Sequence, residues 1–149
     1  TIVVRPNTGQ YFGVYARLVQ IGAGTTDGYY VEYIFQAAGT DTVSIYRIDN
    51  ASFTVLGSAI SQDFNLGDKL GLELIGSTLT AYRHDGSSWA SLGSRTDSTH
   101  SAAGNIGLAM HDVAIADDFG GGTVVAGGFG SLVDGRLVIN GILQGRLVR

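Results

Sequence analysis

Apolar and polar positions alternate along most of this chain. Leu70, Leu72 and Leu74 alternate with Gly71 and Glu73, the period-two pattern of a strand with one face buried. Gly76-Ser77 then supplies a two-residue turn with glycine at the first central position, where a type II′ turn needs positive φ. Thr78, Thr80 and Tyr82 resume the alternation with β-branched and aromatic residues. Leu66 to Arg83 therefore predicts a β-hairpin, and the rest of the chain repeats its logic.

Thr1 to Arg5 predicts a strand, ended by Pro6-Asn7-Thr8-Gly9. Tyr11 to Gln20 predicts another, with Phe12, Val14, Ala16 and Leu18 on one apolar face. In Tyr29 to Gln36, the residues Tyr29, Val31, Tyr33 and Phe35 stand opposite Tyr30, Glu32 and Ile34. Val43 to Ile48 follows, then a turn at Asp49-Asn50 and a strand over Phe53 to Leu56. His84-Asp85-Gly86-Ser87 is a hairpin turn signal before Trp89 to Arg95. Ile106 to Met110 predicts a short buried strand, and Val113 to Phe119 the last one before Gly120–Gly122. Strands recurring every 8 to 12 residues or so, without helical periodicity, predict an antiparallel sandwich or barrel.

The triple glycine sets a boundary between a domain over 1–122 and a tail over 123–149. In the tail, Leu132-Val-Asp-Gly-Arg-Leu-Val138 is echoed by Ile142-Leu-Gln-Gly-Arg-Leu-Val148. This near repeat predicts very short strands folded by tight turns. Such a segment is too small to bury its own leucines. It reads as a docking arm, with Leu132, Arg136, Leu137, Leu143, Arg146 and Leu147 as its contact residues, against the plainer role of a C-terminal strand pair closing its own sheet.

Composition narrows the functions. With 149 residues there is enough chain for one domain with a real core. Cysteine is absent, which excludes disulfides and thiolate metal sites. The 23 glycines against one proline, without a Gly-X-Y period, fit many tight turns. The net charge of −4 lacks the basic stripe of a nucleic-acid binder. No apolar run reaches the roughly 20 residues of a spanning helix, and no membrane partner is expected. The chain opens without methionine in strand-like sequence, which fits a processed or partial product.

Three motifs carry a resemblance. Gly67-Asp-Lys-Leu-Gly-Leu-Glu-Leu-Ile-Gly-Ser-Thr-Leu-Thr-Ala-Tyr82 resembles the core "G-D-x-L-x-L-E-x-x-G-x-x-L-x-x-Y" of concanavalin A-like, laminin-G-like jelly-roll domains. Gly104-Asn-Ile-Gly-Leu108 resembles their "G-x-x-G-L" strand, and Ala116-Asp-Asp-Phe-Gly120 their closing "D-D-F" strand. Tyr11 to Arg17 is similar to their early strand. The resemblance implies an all-β, antiparallel jelly-roll β-sandwich with a short C-terminal turn-rich tail. The family's usual opening strands are missing before Tyr11, which would leave an unpaired edge open to augmentation. The Gly-rich pattern ending in "D-D-F-G" resembles domains of bacteriophage head and tail proteins, and related domains occur in lectin-like proteins.

Glycoside hydrolysis needs two carboxyls roughly 5–10 Å apart across one bond. Glu32 and Glu73 each stand alone in a strand, so no enzyme activity is expected and no catalytic residue is assigned. Asp117 and Asp118 are the candidate metal ligands, and calcium is the ion such oxygens suit; no other cofactor is implied. Against that stands the plainer role of a paired aspartate at a strand's end. His84, His100 and His111 are widely spaced and read as surface residues. Tyr30, Tyr82 and Trp89 are the candidates for stacking a sugar ring, with ordinary cross-strand packing as the competing role. The leading expectation is a non-enzymatic structural protein of a phage particle, a capsid decoration or tail-associated component. It would attach through its tail and open sheet edges to other virion proteins or to copies of itself. The alternative is a carbohydrate-binding, lectin-like module of a receptor-binding or secreted protein, extracellular and facing a cell-surface glycan.

Overall fold

The computed structural model describes residues 1–4, 6–111 and 113–122, together with the backbone of three short strands between 131 and 144. Among the described residues there are strands and turns but no helix. The strands are β1 (Ile2–Val4), β2 (Tyr11–Val19), β3 (Asp27–Ile34), β4 (Thr42–Asp49), β5 (Ser52–Val55), β6 (Ile60–Ser61) and β7 (Lys69–Ile75). They continue with β8 (Thr78–His84), β9 (Trp89–Thr96), β10 (Asn105–Met110), β11 (Ile115–Ala116), β12 (Ser131–Val133), β13 (Arg136–Ile139) and β14 (Ile142–Gln144). Every pairing is antiparallel.

The larger sheet runs β10-β2-β3-β4-β5, with β6 also on β4, and the smaller runs β7-β8-β9. β1 and β11 form a two-stranded ribbon, and β12-β13-β14 a short meander. Phe12, Tyr29, Val31, Tyr33, Val43 and Ile45 of the larger sheet meet Leu70, Leu79 and Ala81 of the smaller in one buried cluster, joined by Ile2 and Phe64. The alternation read from the sequence thus places two antiparallel sheets face to face across one apolar layer. Each valine, leucine, isoleucine or phenylalanine among them contributes about 1.5–3 kcal/mol on burial. Two carboxyl side chains are buried, Asp41 and Asp68, each 3% exposed. Asp41 accepts bonds from the Tyr33 hydroxyl at 2.6 Å and the Gln36 N–H at 2.8 Å, and Asp68 from Arg83 Nε and the Asn65 N–H, both at 2.7 Å. These bonds offset the cost of burying a carboxylate.

The central hairpin forms as its residues dictate. Ile75 pairs with Thr78 across Gly76-Ser77, and Gly76 takes φ +57. Three other elements differ from the simple alternation. In β2 the register shifts between Ala16 and Val19, with Arg17 at φ +51. This bulge reverses the parity of the strand. Phe12 and Val14 pack in the main core, but Leu18 joins Tyr15, Tyr30 and Ile48 on the opposite face. The last strand is shorter than Val113 to Phe119: β11 covers Ile115–Ala116 alone, and Asp118 at φ +53 turns the backbone out of extended geometry.

The third difference is at β10, which is an edge strand and not a buried one. Ile106 is 43% and Met110 46% exposed, because β7 packs over β2 and β3 and the smaller sheet offers β10 no facing strand among the described residues. The side of the molecule where β9 faces the β5–β6 connection is bridged instead. Arg95 donates from Nε to the Leu56 carbonyl at 2.6 Å and from Nη2 to the Ser58 carbonyl at 2.5 Å.

Candidate functional site

The outer face of the smaller sheet carries an aromatic shelf. Leu70, Leu72 and Leu74 of β7 pack toward the core, so Gly71 and Glu73 point away from it. On β8, Tyr82 pairs with Gly71, and His84 pairs with Trp89 across the β8–β9 hairpin. The Trp89 indole lies over Gly71: a Cβ there would stand 2.9 Å from its Cζ3 and 3.3 Å from its Cη2. A side chain at 71 would lift the ring off the sheet. The His84 ring meets the indole edge-on, with centroids 5.1 Å apart at 63°. Trp89 nevertheless remains 52% exposed. Beside it, the Tyr82 hydroxyl donates to Glu73 Oε2 at 2.9 Å. Desolvation and then this bond to the carboxylate raise the Tyr82 hydroxyl above its ordinary pKa.

Of the three aromatic residues singled out for stacking a sugar, Tyr82 and Trp89 therefore share one face, and Tyr30 does not join them. Tyr30 is 2% exposed and stands on the far side of the larger sheet, stacked under Tyr15 at 4.4 Å with Phe53 edge-on at 5.7 Å. It offers no open ring face, which corrects its assignment as a stacking residue. Sequence reasoning missed Gly71, Glu73 and His84 as parts of the shelf. The signal was present in the hairpin register, since the His84–Ser87 turn sets His84 against Trp89, and the Gly76 turn sets Gly71 against Tyr82.

The two glutamates stand on opposite outer faces. Glu32 lies between the core residues Val31 and Tyr33, as Glu73 lies between Leu72 and Leu74, so their carboxyls do not face one bond. Burial raises the Glu32 pKa, opposed by the bond its carboxylate accepts from the Tyr46 hydroxyl at 3.1 Å.

Asp118 accepts from the Thr1 hydroxyl at 2.9 Å and pairs with Lys69 at 3.2 Å; these contacts lower its pKa. Asp117 Oδ1 accepts the Asp118 N–H at 2.7 Å. The pair ties the β11 end to β7. Among the described residues no three His, Asp or Glu side chains gather as a metal set. His100 bonds the Ile48 carbonyl at 2.8 Å and His111 lies edge-on to Tyr11, both away from His84.

Between the edges of β7 and β10 runs a cleft of about 770 Å³, floored by Phe12, Val14, Leu72 and Leu108. It is lined as well by Arg17, Lys69, Ile106, Asp117 to Gly122, and the shelf residues Gly71, Glu73 and Trp89. Among the described residues β7 pairs only with β8, and β10 only with β2. Of the docking residues, Leu132 falls on β12, Arg136 and Leu137 on β13, and Leu143 on β14. Arg146 and Leu147 lie outside the described residues. Comparison with protein-family models, with curated proteins and with solved structures returned no match to this chain.

Proposed function

We propose that this chain is a non-enzymatic structural protein that assembles through the open edges of its sheets. The observation that carries the reading is that, among the described residues, β7 and β10 are sheet edges with no second partner strand, flanking one cleft with Ile106 and Met110 exposed. An edge strand presents a row of N–H and C=O groups ready to bond another strand. β10 carries none of the charges or prolines that usually blunt such an edge. The partners are other proteins of the same particle or further copies of this chain. The finer reading, a jelly-roll β-sandwich serving as a capsid decoration or tail-associated protein of a phage, is supported by the sequence resemblance. The separation of Glu32 and Glu73 onto opposite faces supports a role without hydrolysis.

The test is co-sedimentation with assembled particles lacking the protein, comparing the wild-type chain with Ile106→Lys/Met110→Lys and with a chain ending at Gly122. Both changed side chains are exposed, so folding is checked by circular dichroism and should be unaltered. Wild type should pellet and the doubly charged variant should not. Equal pelleting of the two, or no pelleting of either, would sink the edge-assembly reading. The shortened chain separately reports the contribution of 123–149.

A further inference from the structure

The shelf on the smaller sheet borders the cleft between β7 and β10: Gly71, Glu73 and Trp89 line its β7 side, and Ile106 and Leu108 its β10 side. Exposure alone marks no site, since Phe53 and Ile21 are as open as Trp89; what sets the indole apart is its setting. Here the ring is fixed in place. Gly71 lets it lie flat against the sheet, and His84 braces its edge. The ring lies against the backbone at Gly71, while about half of the residue stays open to solvent at 52% exposure. The carboxylate next to it is fixed as well, because the Tyr82 hydroxyl holds Glu73 Oε2 and leaves the remaining lone pairs free to accept. We propose that Trp89, Tyr82 and Glu73 form a binding site for a pyranose ring of a glycan.

The chemistry of the shelf matches that ligand in two respects. A pyranose presents a C–H-rich face that packs on an aromatic plane, and hydroxyls around its rim that donate to a carboxylate. A rigid platform adds affinity by sparing the ordering cost of its own side chains. With one sheet-mounted ring and one carboxylate, the contact is small, so affinity per site should be about millimolar. Copies assembled on one particle would raise it by avidity.

Trp89 is the only tryptophan of the chain, so its emission reads this site directly. The full chain is titrated with hexasaccharides of glucose, N-acetylglucosamine, mannose, galactose and xylose, and with tetramethylammonium chloride as a cationic control. At least one sugar should shift Trp89 emission saturably. By calorimetry, Trp89→Ala should weaken that sugar roughly tenfold or more. Gly71→Ala should do the same while keeping the indole, since the new Cβ lifts the ring. Glu73→Gln should weaken it several-fold. Thermal melts confirm that each variant is folded. The proposal is overturned if no sugar shifts the emission, if only the ammonium salt does, or if folded Trp89→Ala binds as wild type.

Discussion

The ring of Tyr30 lies directly over the α-carbon of Gly13, filling the space that a side chain at 13 would take. A Cβ added there would collide with Cε2, Cζ and Oη of the ring. The ring is in turn enclosed by Tyr15, Tyr46 and Phe53, so it has no easy path aside. Gly13→Ala is therefore expected to destabilise the fold by about 1–3 kcal/mol through overpacking. Urea denaturation at neutral pH measures this. An unchanged midpoint would show that the aromatic layer yields.

The hydroxyl of that same tyrosine is buried and has no hydrogen-bond partner among the described residues. Burial foremost, with Glu32 nearby, pushes its pKa far above the usual 10. The folded chain thus holds this proton more tightly than the unfolded chain. Its contribution to stability is complete below pH 10 and falls as pH rises above 10. Unfolding free energies between pH 8 and 11.5 should drop at the alkaline end, and Tyr30→Phe should flatten that drop. The same variant should cost little at pH 7, since it removes an unbonded group.

Asp97 governs the acid side. Its side chain is 10% exposed. Burial alone would raise its pKa, but bonds from the Thr99 N–H, the Tyr29 hydroxyl and Arg47 outweigh that and bring it down to about 2. A depressed carboxyl stabilises the fold above its ordinary pKa near 4, and the stabilisation is lost as pH falls toward 2. The loss should amount to roughly 1–2 kcal/mol. Asp97→Asn should show a shallower decline between pH 4.5 and 2 than wild type. Parallel curves would remove Asp97 from the account.

The β4–β5 turn holds a strained alanine. The sequence predicts the turn at Asp49-Asn50, whereas Asp49 pairs with Ser52 and the loop is Asn50-Ala51. Both residues are left-handed, at φ +47 and +62. Asparagine tolerates this region and alanine does not. Ala51→Gly is expected to stabilise by about 0.5–1 kcal/mol, the relief of strain exceeding the added chain entropy. A higher melting temperature is the readout.

The strands of both sheets were legible because period-two patterns and turn residues are local properties. Leu70, Leu72 and Leu74 reach the core as their spacing requires. What failed was set by non-local geometry. Leu18 changes face because a bulge at Arg17 is stabilised from elsewhere: its guanidinium donates to the Gly76 carbonyl at 2.9 Å and the His100 carbonyl at 3.1 Å. Nothing in Tyr11 to Gln20 announces those acceptors. Ile106 and Met110 read as buried because they are apolar, yet their exposure depends on how far the smaller sheet extends. At the shelf, Tyr82 and Trp89 could be named from residue type, but the part played by Gly71 depended on where the indole came to rest.

The Arg95 bridge and the open cleft give the molecule a spine and a fore-edge. Along the spine, Arg95 ties β9 to the β5–β6 connection; along the fore-edge, β7 and β10 are flanked by a gap. Opening fluctuations follow the fewest broken contacts, so the layers should part from the fore-edge and swing about the spine. Amide protons of β10 and of the outer side of β7 then exchange early, those of β3 and β4 last. A strand added at the fore-edge would latch this motion, so the stiffness of an assembly built that way would come from its joints as much as from its parts.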